Sequence, residues 1–251
     1  LKKVIYSIGD SFTFRGPQYK SWSYFLSNKL NLLDANNGIS GSSNDRTYRS
    51  VIRDVSRIID KKLLWTESLG ETELTIDEVL FIVQWTSPTR YELFSDGEFL
   101  QSRDWTKSKF SNGKNKRLDF EFSDEINFYL TNELSCFIKH LNQIITLKLF
   151  LEKLNINSIF FNGFYPIGDN IINLINNFKN EVKQFKSFDN PSTYFEIDSL
   201  WKMIPRDYKD LNMFEYVGKN NLDETLHPTE TANKIWSEKL EKYIEENKLC
   251  D

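Results

Sequence analysis

The 251-residue chain is poor in the residues that most often announce a specialised chemistry. It holds 2 cysteines, Cys136 and Cys250, and 2 histidines, His140 and His227. The cysteines make no metal-ligand spacing, and Cys250 stands near the end of the chain, where a bridge has little to hold; neither a zinc framework nor a disulfide scaffold is expected. No apolar run approaches the roughly 18 residues of a membrane span, and no signal-peptide pattern follows Leu1, the first residue. A reducing, cytoplasmic compartment is the expectation. There is no excess of positive charge: the net charge is -4 with the signs mixed along the chain. That argues against a nucleic-acid partner held through phosphate contacts. Alanine occurs only at Ala35 and Ala232, against many Asn, Lys, Ile and Phe.

What is present describes a globular chain: 39% apolar residues, 27% charged residues and a mean hydropathy of -0.50. This length supports one sizeable core. The chain reads as a single domain over 1–251, with no repeat and no low-complexity linker.

The stretch that organises the rest is Val4-Ile5-Tyr6-Ser7-Ile8-Gly9-Asp10-Ser11-Phe12. An apolar β-type run ends in Gly-Asp-Ser, which mounts the Ser11 hydroxyl where a buried strand breaks into a loop. Gly9 permits a tight backbone path and Asp10 can accept hydrogen bonds from the turn. Taken alone, the same residues also make an Asx turn with no chemistry in it. Next, Ser21 to Leu33 carries Trp22, Phe25, Leu26, Leu30 and Leu33 at helical spacing. The polar run Asn36 to Asp45 contains Gly38 and Gly41, and Ser43 or Asn44 is placed to cap a helix through Val51, Ile52, Val55 and Ile58. A glycine loop opening a helix presents free N–H groups to an anion or a developing oxyanion. A phosphate loop would need Gly-Lys-Ser/Thr, which is absent.

Thr75 to Glu78 reads as a helical turn feeding the unbroken run Val79 to Trp85, a strand buried on both faces of a parallel sheet. Its polar continuation, Gln84 to Arg90, then opens at the C-terminal edge, where open α/β sheets bind ligands. From about 91 to 124 the pattern turns irregular and aromatic-rich, and reads as an insertion: a lid, a partner surface or a plain surface excursion. A long helix or helix pair follows from Glu125 to Leu154. His140 lies inside it, as a surface or core-edge residue. Ser158 to Phe164 makes another buried strand, Asp169 to Phe178 a helix, Tyr194 to Ile197 a short strand, and Leu200 to Ile204 a helical turn. Strands alternating with helices point to a three-layer α/β/α architecture.

The last block is Asp223-Glu224-Thr225-Leu226-His227-Pro228-Thr229, leading into an amphipathic helix from Glu230 to Glu245 capped by Thr229. His227 has an acid three and another four positions upstream. A loop can bring one of them to a ring nitrogen while the other nitrogen faces a serine, the relay that activates a hydroxyl nucleophile. The plainer alternative is a capped helix with a histidine nearby.

Together, Gly-Asp-Ser at the first strand, the glycine loop after the second and His-Pro before the last helix resemble the SGNH or GDSL hydrolase family. The resemblance spans nearly the whole chain and keeps the family's block order. It implies a flavodoxin-like, mainly parallel sheet, Ser11 as nucleophile, His227 as general base, and the N–H groups of Ser11 and Gly41 as oxyanion donors. It implies no metal and no organic cofactor, and a small-molecule or carbohydrate acyl ester as substrate. Where the family's third block reads Gly-x-Asn-Asp, this chain has Gln84-Trp85-Thr86-Ser87, so the asparagine donor is missing at Thr86. The Thr86 hydroxyl and Asn44 are the candidate replacements, with Asp10 beside them. The triad acid stays open between Glu224, favoured on spacing, and Asp223. Three functions follow: ester hydrolysis, a binding protein that keeps the pocket without the chemistry, and acyl transfer to an alcohol. The oligomeric state is not legible.

Overall fold

The computed structural model describes residues 1–14, 20–88, 90, 92–95, 98–102, 109–111, 117–119, 133–163 and 199–250. Its centre is a four-stranded parallel sheet built from the apolar runs. Strands β1 (Val4–Ile8), β2 (Leu33–Asn36), β5 (Val79–Trp85) and β10 (Ser158–Asn162) lie in the order β10-β5-β1-β2. The register pairs Tyr6 with Ala35 on one side and with Phe81 on the other, and Phe160 with Val83. Every residue of β1, β5 and β10 is buried. Such strands lack polar alternation because helices cover both faces of the sheet.

The two faces have separate cores. Val4, Tyr6, Ile8, Phe81, Val83 and Trp85 point to one side. There they meet Val51, Val55 and Ile58 of α2 (Asn44–Lys61) and Leu141 and Ile144 of α3 (Glu133–Lys153). Ile5, Leu80, Ile82 and Phe161 point to the other, against Trp22 and Leu26 of α1 (Trp22–Leu30) and Trp236 and Leu240 of α6 (Glu230–Glu246). This is the expected α/β/α sandwich with a parallel, flavodoxin-like sheet. The short helices α4 (Arg206–Asp210) and α5 (Met213–Val217) follow β10 in space, with an isolated parallel bridge from Asn162 to Asn212.

Three differences from the sequence reading have local causes. The first helix stops at Leu30 rather than running to Leu33: Asn31 takes a left-handed φ of 53°, and Leu33 opens β2. Asparagine tolerates that conformation because its short polar side chain compensates locally. A second element, the antiparallel hairpin of β3 (Leu63–Thr66) and β4 (Gly70–Glu73), had no counterpart in the sequence reading. The segment after β5, read as irregular, contains a four-stranded antiparallel sheet. Its strands are β6 (Glu92–Ser95), β7 (Glu98–Ser102), β8 (Lys109–Ser111) and β9 (Arg117–Asp119), hydrogen-bonded in that order. The expected helix over 169–178, the strand over 194–197 and the start of the long helix at 125–132 lie outside the described residues. The turn at Ile76–Glu78 forms with a capping box from Thr75, as its sequence suggested.

Candidate active site

Ser11 follows β1 by way of a turn that Asp10 holds together. The Asp10 carbonyl accepts from the N–H groups of Thr13 and Phe14, at 3.0 and 2.9 Å. Its carboxylate is 1% exposed and accepts four further hydrogen bonds. Oδ1 takes the Phe12 N–H at 3.0 Å and Gln84 Nε2 at 2.6 Å. Oδ2 takes the Thr86 hydroxyl at 2.6 Å and Arg90 Nη1 at 2.7 Å. A buried carboxylate needs such partners, and the Arg90 guanidinium supplies the opposite charge. Asp10 is thus the knot that ties the Ser11 turn to the end of β5. Being acceptor-only in its ionised form, it has no proton to offer an oxyanion.

Ser11 itself is partly exposed. Among the described residues, neither its hydroxyl nor its N–H makes a hydrogen bond, and the Gly41 N–H likewise has no recorded acceptor. Gly41 has a φ of 74°, the left-handed backbone that favours glycine. The glycine loop is fastened beside the Ser11 turn: Ile39 donates to the Gly9 carbonyl at 3.1 Å, and Asn37 to that of Ser7 at 2.7 Å. Ser43 is the residue that caps α2, accepting from Arg46 N–H at 3.2 Å.

The two candidates for the missing donor are engaged elsewhere. Asn44 accepts from Thr86 N–H at 2.9 Å and donates through Nδ2 to the carbonyls of Thr86 and Ser87 at 3.1 and 3.0 Å. Both amide protons are therefore spent on the backbone that leaves β5. The single proton of the Thr86 hydroxyl goes to Asp10. Arg90, in contrast, is 20% exposed, and its pairing with Asp10 engages one of its five N–H donors. Sequence reasoning passed over Arg90; the signal was a cation just beyond the C-terminal end of a buried parallel strand.

At the other end of the chain, Leu222 bridges Pro228, Asp223 N–H donates to the His227 carbonyl at 2.8 Å, and Leu226 takes φ 62° to close the loop. Thr229 caps α6 through Ala232 N–H. The loop is organised by one carboxylate oxygen. Asp223 Oδ1 accepts from Thr225 Oγ1 at 2.6 Å, Thr225 N–H at 2.8 Å and His227 N–H at 3.0 Å. The Thr225 hydroxyl, then the His227 N–H, hold the Asp223 carboxyl below its usual range. Thr225 Oγ1 also lies 2.8 Å from His227 Nδ1. With its one proton on Asp223, that hydroxyl accepts from Nδ1–H, which leaves Nε2 as the basic nitrogen. Glu224 is exposed and makes no hydrogen bond or ion pair among the described residues, so the imidazole is linked to Asp223 instead, through Thr225.

The two ends of the chain meet. Phe12, next to Ser11, packs against the His227 ring with centroids 6.0 Å apart at 40°. No hydrogen bond joins Ser11 to His227. The second histidine has no part in this site. His140 is 2% exposed, rather than at the surface or core edge, and Nε2 lies 2.8 Å from the Tyr208 hydroxyl. Burial brings its pKa down to about 3, so it is neutral. Among the described residues no group of His, Cys, Asp and Glu has the arrangement of a metal site, and no helix is long and apolar enough to cross a membrane.

No protein-family model matches the chain, and no curated protein does. Solved structures do resemble it. One is described as a lipolytic protein of the G-D-S-L family from Desulfitobacterium hafniense DCB-2, at 15% identity and a TM-score of 0.44, covering 96% of this chain and 99% of that one. Another is the psychrotrophic esterase EstA of Pseudoalteromonas sp., at 12% identity and a TM-score of 0.47, covering 98% of each chain. A third is an acetyl xylan esterase of the rumen bacterium Butyrivibrio proteoclasticus, at 14% identity and a TM-score of 0.43, covering 98% of this chain and 64% of that one. At these identities and TM-scores the likeness says nothing of the chemistry of this chain.

Proposed function

We propose that the chain is a serine hydrolase of the SGNH type, cleaving an acyl ester through an acyl-enzyme on Ser11. The observation that carries this reading is the meeting of the first loop and the last, with Phe12 against His227. In the proposed reaction Ser11 Oγ attacks the ester carbonyl and its proton passes to His227 Nε2. The imidazolium then gives that proton to the departing alcohol, and water repeats the sequence to free the acid. Asp223 stabilises the imidazolium through the Thr225 hydroxyl. The Ser11–His227 hydrogen bond forms only once substrate is bound, since catalytic hydrogen bonds are often long or unmade in unliganded enzymes.

The N–H groups of Ser11 and Gly41 receive the oxyanion, and Arg90 takes over as the third donor. Loss of one such donor costs about 2.7–4 kcal/mol of transition-state stabilisation, so a replacement matters. The alcohol half is a small molecule or a carbohydrate hydroxyl, and the same acyl-enzyme would serve transfer if a second alcohol displaced water. A binding-only reading has one specific support: Thr86 and Asn44 are both fully committed to the scaffold.

A single experiment separates these. Purified protein is assayed on p-nitrophenyl acetate and treated with a fluorophosphonate, beside Ser11→Ala and Arg90→Lys. Lysine keeps a cation on Asp10 but gives up the guanidinium fork. Labelling confined to Ser11, no turnover by Ser11→Ala, and kcat reduced about 10-fold or more by Arg90→Lys are expected. Neither labelling nor turnover across an acyl-ester panel would leave the binding reading standing; added alcohol that diverts product shows transfer.

A further inference from the structure

A cavity of about 610 Å³ is lined by α2, the β3–β4 hairpin and the loop from Asn36 to Ile39. That volume suits a small ligand. One wall is a cationic stripe: Arg46, Arg53, Arg57 and Lys61 follow one another by two turns, one turn and one turn of α2, so they share a face. The opposite wall is the outward face of the hairpin. Trp65 is 51% exposed there and stands directly across from Glu71 in the antiparallel register, while Leu64 and Thr66 turn inward.

Among the described residues only Arg53 of the stripe makes an ion pair, although Glu67 and Glu71 also line the cavity. Arg53 is neutralised by Asp54, to which it donates from Nε at 2.7 Å and Nη2 at 2.9 Å. Arg46 is only 7% exposed, yet among the described residues it makes no ion pair. Its guanidinium rests on neutral acceptors, the Asn37 carbonyl at 3.2 and 3.3 Å and Asn37 Oδ1 at 3.3 Å. The side chains of Arg57 and Lys61 make no hydrogen bond or ion pair among the described residues. A buried cation without a counter-charge is costly, and an anion entering the cavity would relieve it. The exposed indole beside it offers a flat apolar face, and Glu71 offers an acceptor for hydroxyl protons.

We propose that this cavity binds a saccharide bearing an anionic group. The anion is held by Arg46, Arg57 and Lys61, the ring lies on Trp65, and ring hydroxyls donate to Glu71. The site is independent of the chemistry at Ser11, although the two are neighbours: a Cβ on Gly38, which lines the cavity, would lie 2.7 Å from Phe14 N.

Titration calorimetry on the full chain tests it with three probes: digalacturonate, glucose 6-phosphate and neutral xylobiose. Binding of one or both anionic probes, weakened by salt, is expected, and which one binds identifies carboxylate or phosphate as the anion. Trp65→Ala and the double variant Arg57→Gln/Lys61→Gln should each weaken binding about tenfold or more. Both alter exposed positions, and unchanged thermal unfolding together with unchanged p-nitrophenyl acetate turnover, where turnover exists, would confirm intact folding. No binding of either anionic probe, equal binding of xylobiose, or binding that survives both variants would overturn the proposal. Loss of esterase activity in Ser11→Ala has no bearing on it.

Discussion

A single hydroxyl stands between His227 and its carboxylate. Thr225 Oγ1 is 2.6 Å from Asp223 Oδ1 and 2.8 Å from His227 Nδ1, which in the proposed reaction makes a relay with the acid at one remove. Replacing it by valine keeps the shape of the side chain and removes the bridge. If His227 is the base, as proposed, Thr225→Val is expected to lower kcat on p-nitrophenyl acetate about 100-fold with little change in KM, because its orientation and tautomer are lost while substrate contacts stay. Thr225→Ser should restore most of the rate. Glu224→Gln should stay within about twofold of the parent, since its side chain touches none of this network. A full-rate Thr225→Val would remove Asp223 from the catalytic account. Spacing from His227 could not anticipate this arrangement, because three donors of the loop, at Thr225 and His227, converge on Asp223 Oδ1 while the Glu224 side chain is exposed.

At the scale of elements, the site depends on how closely three strand ends approach one another. Gln84, buried in β5, is flanked by Gly9 after β1 and Gly163 after β10. A Cβ on Gly9 would lie 2.7 Å from Gln84 Cβ, and one on Gly163 would lie 2.7 Å from Gln84 Cδ. The Gln84 side chain has no room to yield, because Thr13 donates to its Oε1 at 2.6 Å and its Nε2 donates to Asp10. Gly163→Ala is therefore expected to destabilise the fold by about 1–3 kcal/mol, as overpacking of a filled core does. Urea denaturation checks it, and an unchanged midpoint would mean that Gln84 has another place to go. The same crowding explains why the central strands were the most legible elements. β1, β5 and β10 are buried on both faces and so read as continuous apolar runs; Thr229 announced its helix as a cap, and of Ser43 and Asn44 it is Ser43 that caps α2. The β3–β4 hairpin carried too weak an alternation to be recognised, its outward face mixing Trp65 with Glu71 and Glu73.

Across the molecule, the core histidine sets a pH limit. His140 has a folded pKa of about 3 because burial disfavours its charged form, against an ordinary value of 6.5. Above pH 6.5 folded and unfolded chains are both neutral at this site, so its stabilising contribution is complete. Below that value the unfolded state takes up a proton that the folded state refuses, and stability falls by up to about 1.4 kcal/mol per pH unit down to the folded pKa. Denaturation midpoints measured from pH 7 to pH 5 should fall in the native protein and fall less in His140→Gln. Parallel curves for the two would rule out this histidine as the titrating group.

The sequence alone settled the layered architecture, the order of its blocks and the two loops worth joining, because burial of both sheet faces and helix capping are local properties written in residue pattern. Tertiary structure decided the rest: that Asn44 and Thr86 serve the scaffold, that Arg90 reaches Asp10, that Thr225 links Asp223 to His227, and that a cationic face of α2 lines one cavity with an exposed tryptophan. Each of these pairs residues whose proximity depends on loop conformation or strand packing, and a hydrogen bond is decided by a few tenths of an ångström that no residue pattern specifies.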